Sequence, residues 1–162
     1  MISVRRAGSL DTSQMAELLN QIIEAGGTTA LTQPVTRADM ELRMAKAPTR
    51  SVWHVAEDSS GTLLGFQWIA PHPDLGPEAA DIASFVRIGT TGLGTGTALF
   101  EATKIRAREL GYRWINATIR SDNAGGLAYY QSRGFETWTQ AKNVPLANGQ
   151  IVDKISKRYH LD

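Results

Sequence analysis

The chain has 162 residues, of which 42% are hydrophobic and 20% are charged, and its formal net charge at pH 7 is +1. This composition is typical of a single soluble domain, residues 1–162, and shows no basic excess that would indicate nucleic-acid binding. The absence of cysteine excludes disulfides, a thiol nucleophile and cysteine-ligated zinc.

The N-terminal residues lack the apolar core of a signal peptide. No stretch of the chain approaches the ~20 consecutive apolar residues that a membrane-spanning helix needs. We therefore expect a cytoplasmic protein with no membrane partner, and we expect no metal site.

The chain begins with a predicted strand and a predicted helix. Residues 2–6 alternate in polarity, which favours a strand. A helix with regularly spaced apolar residues follows, and Asp11 or Thr12 is positioned to cap its N-terminus. The pair Gly26-Gly27 is typical of a helix end.

A second helix and a β-hairpin complete the first half of the chain. Thr36 and Asp39 have the spacing of a capping box, so we expect the helix to begin after Thr36. Residues 52–56 and 63–69 are rich in apolar and aromatic side chains, and the polar segment 58–61 between them predicts the hairpin turn.

A glycine-rich turn at the centre of the chain joins a strand to a helix. Residues 81–88 predict the strand, Gly92, Gly94 and Gly96 lie in the turn, and Gly111 ends the helix. The helix has the spacing of a one-sided packing face. The predicted face consists of Leu99, Phe100, Ala102, Ile105, Arg106 and Glu109.

The last third of the chain predicts three strands and one short helix. Residues 114–119 form the first strand, residues 123–133 the helix, and residues 135–138 the next strand. Residues 151–160 form the final strand, which Asn148-Gly149 connects by a hairpin turn. The predicted order of elements is β-α-α-β-β-β-α-β-α-β-β.

The glycine-rich turn predicts a phosphate site. Glycines remove Cβ atoms where a ligand approaches the backbone, and the first amides of a helix have no partner within it. These N–H groups and the helix dipole favour an anion. No Gly-Lys pair occurs, which excludes a P-loop, and Thr97 stands where a dinucleotide fingerprint needs glycine.

Two motifs together resemble the GCN5-related N-acetyltransferases, the GNAT family. Residues 91–99 fit its pyrophosphate loop, with alternating glycines followed by leucine. Asn123, Tyr130 and Gly134-Phe135 fit its second motif, in which six residues separate asparagine from tyrosine. One departure is that Thr91 and Gly92 stand where the family has glutamine or arginine, and residues 89–97 contain no cation.

The resemblance implies a mixed α/β fold whose mostly antiparallel sheet carries helices on both faces. It also implies that the strands ending near Val86 and Ile119 run parallel and splay apart, so that a thioester arm can enter between them. The implied co-substrate is acetyl-CoA. We assign its pyrophosphate to Leu93, Gly94, Thr95, Gly96, Thr97 and Ala98.

Further cofactor contacts follow from the same resemblance. In the family, a main-chain N–H at a bulge of the preceding strand polarises the thioester carbonyl, which here lies near Phe85 or Val86. Asn123 is expected to hydrogen-bond the cofactor arm, to cap the following helix, or to do both. The contact for the adenosine 3′-phosphate is left open among Arg87, Lys104 and Arg108.

Catalysis requires an acid for the leaving thiolate and a base for the attacking amine. The resemblance assigns the acid to Tyr130, whereas Tyr129 is expected to pack in the core. For the base, Asp81 is the first candidate and His72 the second. Glu78, His54 and a chain of water molecules remain as the other options.

Segments 26–34, 71–77 and 141–148 are expected to flank the acceptor. The first of them has a short similarity to phosphinothricin-type and amino-acid N-acyltransferases, which implies a small amine or amino-acid-like acceptor and direct transfer in a ternary complex. The alternatives are a protein or peptide N-acetyltransferase, a non-catalytic acyl-CoA sensor and a nucleotide-binding fold. A homodimer is a further expectation from similar proteins.

Overall fold

Seven strands form one sheet in the order β1-β2-β3-β4-β5-β7-β6 in the computed structural model, which describes residues 1–90 and 92–162. The elements in chain order are β1 (Ser3–Arg6), α1 (Thr12–Ala25), α2 (Arg37–Ala45), β2 (Val52–Glu57), β3 (Leu63–Ala70), β4 (Ala79–Val86), α3 (Thr95–Glu109), β5 (Trp114–Arg120), α4 (Ala124–Ser132), β6 (Glu136–Pro145) and β7 (Ile151–His160). A short 3₁₀ turn, Ser9–Asp11, precedes α1. The predicted order is confirmed.

Helices cover both faces of the sheet, as predicted. On one face α1 and α2 pack on alternate residues of β2, β3 and β4, and the core there is built on Met15, Leu19, Met40, Val55, Phe66 and Phe85. On the other face α3 and α4 cover a second core, which includes Ile69, Phe100, Ala107, Ile115, Tyr130 and Phe135. Burial of these large apolar side chains, each worth about 1.5–3 kcal/mol, is the main force that holds the layers together.

Among the described residues, the strand pair that opens the sheet is the only parallel one. β4 and β5 pair at Ala79–Trp114, Ala80–Ile115 and Asp81–Asn116 and at no later position, whereas the other neighbouring strands pair antiparallel. Beyond these pairs the two strands diverge while each continues to pair with its outer neighbour. The predicted wedge is therefore present.

Three boundaries and one packing face differ from the prediction, and the largest difference is β6, which the sequence predicts over residues 135–138 and which extends over Glu136–Pro145. β4 begins and ends two residues earlier than residues 81–88, and α3 begins at Thr95, before Gly96. Ile105, predicted to be buried, is 58% exposed, while Thr103 and Ala107 lie against the core. The reason is that the buried stripe of α3 continues from Leu99 and Phe100 through Thr103 and Ala107, a polar and a small side chain that apolar spacing does not reveal.

Among the described residues, no helix combines the length and the apolar character needed to cross a membrane. The same residues contain no cluster of three or more histidine, aspartate or glutamate side chains positioned to hold a metal ion.

Candidate active site

A cavity of about 540 Å³ opens where β4 and β5 diverge. The loop after α1 contributes Thr28 and Leu31, and the loop after β3 contributes His72, so two of the three segments predicted to flank the wedge line this cavity. Residues 141–148 do not line it. Their place is taken by Trp138, because β6 begins close to the point of divergence and then runs away from it.

Asp81 lies at the last paired position of β4 and β5, at the apex of the cavity. Asn116, directly across the pair, donates from Nδ2 to the Asp81 carboxylate at 2.9 Å and accepts from the Trp138 indole N–H at 2.8 Å. Burial raises the pKa of Asp81 against the opposing effects of this hydrogen bond and of nearby His72 and Lys154. A carboxylate with a raised pKa is a stronger base than an exposed one.

The other candidate bases are placed less favourably. His72 lines the cavity, but its Nδ1 accepts from the Asp74 N–H at 3.1 Å, so its basic nitrogen is already engaged. Glu78 is exposed and does not line the cavity. His54 is buried on β2, and burial, followed by the charges of Arg6 and Arg106, lowers its pKa to about 4.

Tyr130 projects from α4 to the wall of the same cavity. Its ring packs edge-on against Phe135, with centroids 5.1 Å apart, and its hydroxyl donates to Ser84 Oγ at 2.8 Å. Burial raises the pKa of Tyr130 above its usual range. The Tyr130 side chain therefore packs in the core through its ring and makes a polar contact at the cavity through its hydroxyl.

A chain of hydrogen bonds connects the cavity to the glycine-rich turn. Ser84 Oγ lies 2.7 Å from Gln67 Nε2, which lies 3.2 Å from the Tyr129 hydroxyl. Tyr129 donates to the carbonyl of Gly96 at 2.7 Å. The expectation that Tyr129 packs in the core is correct for its ring, but the hydroxyl also holds the first turn of α3.

The three glycines of the turn are needed for different structural reasons. Gly92 and Gly94 have φ values of 88° and 83°, in the left-handed region where other residues are strained. Gly96 is helical, and a Cβ there would lie 2.6 Å from the Tyr129 ring. The interpretation that all three glycines clear space for a ligand is therefore wrong for Gly96, which makes room for Tyr129.

The first main-chain N–H groups of α3 have no hydrogen-bond partner among the described residues. The Ala98 N–H donates to Gly94 O at 3.0 Å, which closes the first turn and leaves the N–H groups of Thr95, Gly96 and Thr97 without a helical partner. The buried Thr95 hydroxyl also has no hydrogen-bond partner in the described part of the chain. These groups fit an anion. Thr91 lies outside the described residues.

The family profile described as acetyltransferase (GNAT) family matches residues 15–135. The chain belongs to the GNAT acetyltransferase family. Its relative from Pseudomonas aeruginosa, an L-methionine sulfoximine/L-methionine sulfone acetyltransferase, is 30% identical over 99% of this chain and 95% of its own length.

Two other similar proteins differ in what they indicate. Mycothiol acetyltransferase of Paenarthrobacter aurescens is 34% identical over 64% of this chain, but the match spans only 33% of its length. The crystal structure of a phosphinothricin acetyltransferase from Sinorhizobium meliloti in complex with AcCoA superposes with a TM-score of 0.88, covering 98% of this chain and 88% of that one, at 21% identity. At this identity the likeness shows the GNAT fold.

The bulge expected in β4 of a GNAT protein is absent here. β4 pairs with β3 in one unbroken register from Gly65–Val86 to Ala70–Asp81, so the expectation of a bulge near Phe85 or Val86 is wrong. The divergence of β5 frees main-chain donors instead. The Arg87 N–H donates to Leu64 O. Because the direction of main-chain N–H groups alternates along a strand, the N–H groups of odd-numbered residues in β4 face β3, and the N–H of Val86 faces the wedge.

Asn123 caps α4, as predicted. Its Oδ1 accepts from the Gly126 N–H at 2.9 Å, and its Nδ2 donates to the carbonyl of Thr28 at 2.9 Å. A side-chain amide has two donor hydrogens and two acceptor lone pairs, so one of each remains at the cavity wall. The loop after α1 is thus tied to the N-terminus of α4.

Arg133 places a positive charge beside the glycine-rich loop, residues 89–97, which contains no cationic side chain of its own. Its Nη1 donates to Thr97 Oγ1 at 2.8 Å, and its buried Nε has no hydrogen-bond partner within residues 1–90 and 92–162. No carboxylate within salt-bridge distance neutralises it among the residues described. Sequence analysis overlooked Arg133, although it immediately precedes Gly134-Phe135 of the second motif.

The three cations considered for the adenosine 3′-phosphate are engaged in other contacts. Arg87 donates from Nε to Leu63 O at 2.8 Å, and Arg108 donates from Nε to Leu161 O at 2.8 Å. Lys104 pairs with Glu101 at 2.9 Å. Sequence analysis also overlooked Asn116, Ser84 and Gln67, whose roles depend on strand register and carry no local signal.

Proposed function

We propose that this GNAT protein transfers the acetyl group of acetyl-CoA directly to the amine of a small, amino-acid-like acceptor in a ternary complex. The observation that carries the proposal is the hydrogen-bonded chain from the cavity to the start of α3. It joins an anion site of free amides to a cavity that holds a buried carboxylate and a buried phenol.

The co-substrate fits the groups that the chain presents. The N–H groups of Thr95, Gly96 and Thr97 bind the pyrophosphate, Gly94 and Leu93 shape the approach, and Ala98 completes the helical turn. Arg133 supplies the cation that residues 89–97 lack. Hydrogen bonds from these N–H groups and from the guanidinium to phosphate oxygens are charge-assisted, and such bonds are about twice as strong as neutral ones.

The divergent edges of β4 and β5 accommodate the thioester arm. The Val86 N–H points into the wedge and is free to hydrogen-bond the thioester carbonyl, whereas the Phe85 N–H is directed to β3. Asn123 offers its remaining donor and acceptor at the cavity wall. Acetyl-CoA supplies the activated acetyl group, and these contacts orient it.

Asp81 is the proposed base. It accepts a proton from the acceptor ammonium at the apex of the cavity, while Asn116 keeps one carboxylate oxygen in place. The indole of Trp138 fixes Asn116 in turn. Tyr130 is the proposed source of the proton that reaches the leaving thiolate.

The charges around the cavity favour an acceptor with both an amine and a carboxylate. Asp81 suits the amine, and Lys154 and Arg43 provide positive charge on the cavity wall. The Pseudomonas aeruginosa relative is named for L-methionine sulfoximine and L-methionine sulfone, which are amino acids of this type. Trp68 and Trp138 contribute apolar surface beside these charges.

Calorimetric titration with acetyl-CoA, with NAD and ATP as controls, tests the cofactor. Thiol release then tests three acceptors: L-methionine sulfone, the corresponding amine without the carboxylate, and a peptide with a free N-terminus. We expect the protein to bind acetyl-CoA but neither NAD nor ATP, and to release the CoA thiol only with the amino acid. Binding without release for any acceptor would indicate a sensor module, and preference for the peptide would indicate a protein acetyltransferase.

A further inference from the structure

The polarity of the buried hydrogen-bonded chain follows from one carbonyl group. Gly96 O can only accept, so the Tyr129 hydroxyl donates to it. The Tyr129 oxygen therefore accepts from Gln67, which identifies the Gln67 atom facing it as the amide nitrogen. The same nitrogen donates to Ser84 Oγ, and Gln67 Oε1 accepts from Thr103 Oγ1 at 2.5 Å.

Ser84 has no acceptor capacity left. A serine hydroxyl has two acceptor lone pairs and one proton to donate. Gln67 Nε2 donates to one lone pair at 2.7 Å and the Tyr130 phenol to the other at 2.8 Å. A phenol is the stronger acid and the better donor of the two hydroxyls, which supports the direction from Tyr130 to Ser84. Among the described residues the Ser84 proton has no acceptor within 3.5 Å, although the Ser84 hydroxyl is near enough to Tyr129 to lower the pKa of that phenol.

Ser84 is also better placed than Tyr130 to reach a ligand. Tyr130 is only 7% exposed, whereas Ser84 is half-buried and lines the cavity between the diverging strands. Its main-chain N–H, like that of Val86, faces the wedge. The hydroxyl and the main-chain N–H of Ser84 therefore both lie along the path proposed for the thioester.

We propose that Ser84 is a catalytic residue that delivers the proton to the sulfur, and that Tyr130 acts through it; this inference rests on the proposed acetyl transfer. As the carbon–sulfur bond breaks, the Ser84 hydroxyl proton passes to sulfur and the Tyr130 phenol proton passes to Ser84 Oγ. Tyr130 regains a proton from solvent, into which Asp81 has released the one taken from the amine. The acceptor nitrogen loses a second proton to solvent as it becomes the amide, so the sum, starting from the ammonium, is one amide, one thiol and one proton released.

The first test measures the bound thiol and needs no turnover. A hydroxyl that donates to sulfur favours the thiolate, so the pKa of CoA bound to the wild-type protein should be lower than that of CoA bound to S84A by about 1, the value of one hydrogen bond. Ultraviolet absorbance of the thiolate across pH gives both values. S84T, which keeps the hydroxyl, should behave as the wild type. S132A, an exposed hydroxyl on α4, is the control for loss of a serine.

The second test is a double-mutant cycle. We expect S84A and Y130F each to lower kcat by about tenfold or more while leaving the Kd for acetyl-CoA unchanged, and the double variant to be no slower than either. Thermal unfolding confirms that each variant is folded. S84T should restore kcat, because it restores the relay.

Three results would overturn the inference: wild-type kcat in S84A, losses in S84A and Y130F that multiply in the double variant, or an equal thiol pKa in S84A and wild-type complexes. Each is read on a protein that binds acetyl-CoA. Failure of the wild-type protein to bind acetyl-CoA, in contrast, would contradict the proposed function itself.

Discussion

The two ends of the candidate site are constructed differently. The cofactor end consists mainly of main-chain groups from consecutive residues, at the N-terminus of α3. The acceptor end consists of side chains from separate elements: Asp81 on β4, Asn116 on β5, Trp138 on β6 and Lys154 on β7. A main-chain site depends on local conformation and tolerates many side chains, whereas the side-chain site depends on the identity of each residue and can change its substrate by substitution.

The largest expected effect is at the cofactor end, from G94D. An aspartate there meets the same anion that the free amides bind, and its like charge and bulk should raise the Kd for acetyl-CoA by at least about 100-fold. Calorimetric titration measures the change. Gly94 has a φ of 83°, so backbone strain contributes to any destabilisation.

G61D is the matched control for strain. Gly61 also has a φ of 83°, has open space around its Cβ position and lies in the hairpin between β2 and β3, away from the cavity. We expect G61D to lose similar stability and to bind acetyl-CoA normally. If folded G94D and the wild-type protein bound acetyl-CoA equally well, the assignment of the phosphate site to the start of α3 would be wrong.

A smaller effect is expected at the acceptor end, from D81N. Removal of the base should lower kcat by about 100-fold without changing the Kd for acetyl-CoA. In the wild type, kcat/KM should fall as pH drops through the Asp81 pKa, which burial raises, because only the carboxylate accepts a proton. D81N should lose this acidic limb.

D74N separates the base from the general charge of the cavity. Asp74 lines the same cavity, but its side chain is 89% exposed. Its conversion to asparagine should leave the acidic limb in place. If D81N retained both kcat and the limb, the base would be His72 or water.

The contrast between the two ends explains what sequence could predict. The strand–turn–helix around Gly94 and the Thr36–Asp39 capping box are local, and both are present. Asn116 belongs to the site only because it pairs with Asp81 across two strands that are distant in sequence. Knowledge of the parallel register would have been needed to find it.

Even local signals fail where a distant partner competes for the same group. Asp11 occupies the N-cap position of α1, but its side chain makes no capping bond there. It instead accepts from Arg5 of β1 at 2.8 and 2.9 Å and from the Gly8 N–H at 2.7 Å. In the same way, residues 89–97 contain no cation, but Arg133, which follows α4, places one against Thr97.

Arg133 allows a third test, since its guanidinium lies beside the first turn of α3. R133Q should weaken acetyl-CoA binding by about tenfold, the value of one charge-assisted hydrogen bond. The loss should shrink at high salt, because the wild-type affinity is screened. R113Q is the control, since that side chain is 74% exposed and interacts with Asp162. Binding by R133Q equal to that of R113Q would mean that main-chain groups alone hold the anion.

The smallest effect on activity is expected from His54, which lies at neither end of the site. Its folded-state pKa of about 4 is below the usual 6.5, so the unfolded chain binds the proton more readily between these values. Stability therefore falls as pH decreases from 6.5 to 4, by about 3 kcal/mol from this residue alone. In urea unfolding at pH 7 and pH 4.5, H54Q should show a smaller loss than the wild type and normal kcat at pH 7. A lowered kcat in folded H54Q would place this histidine in the reaction and not in the core.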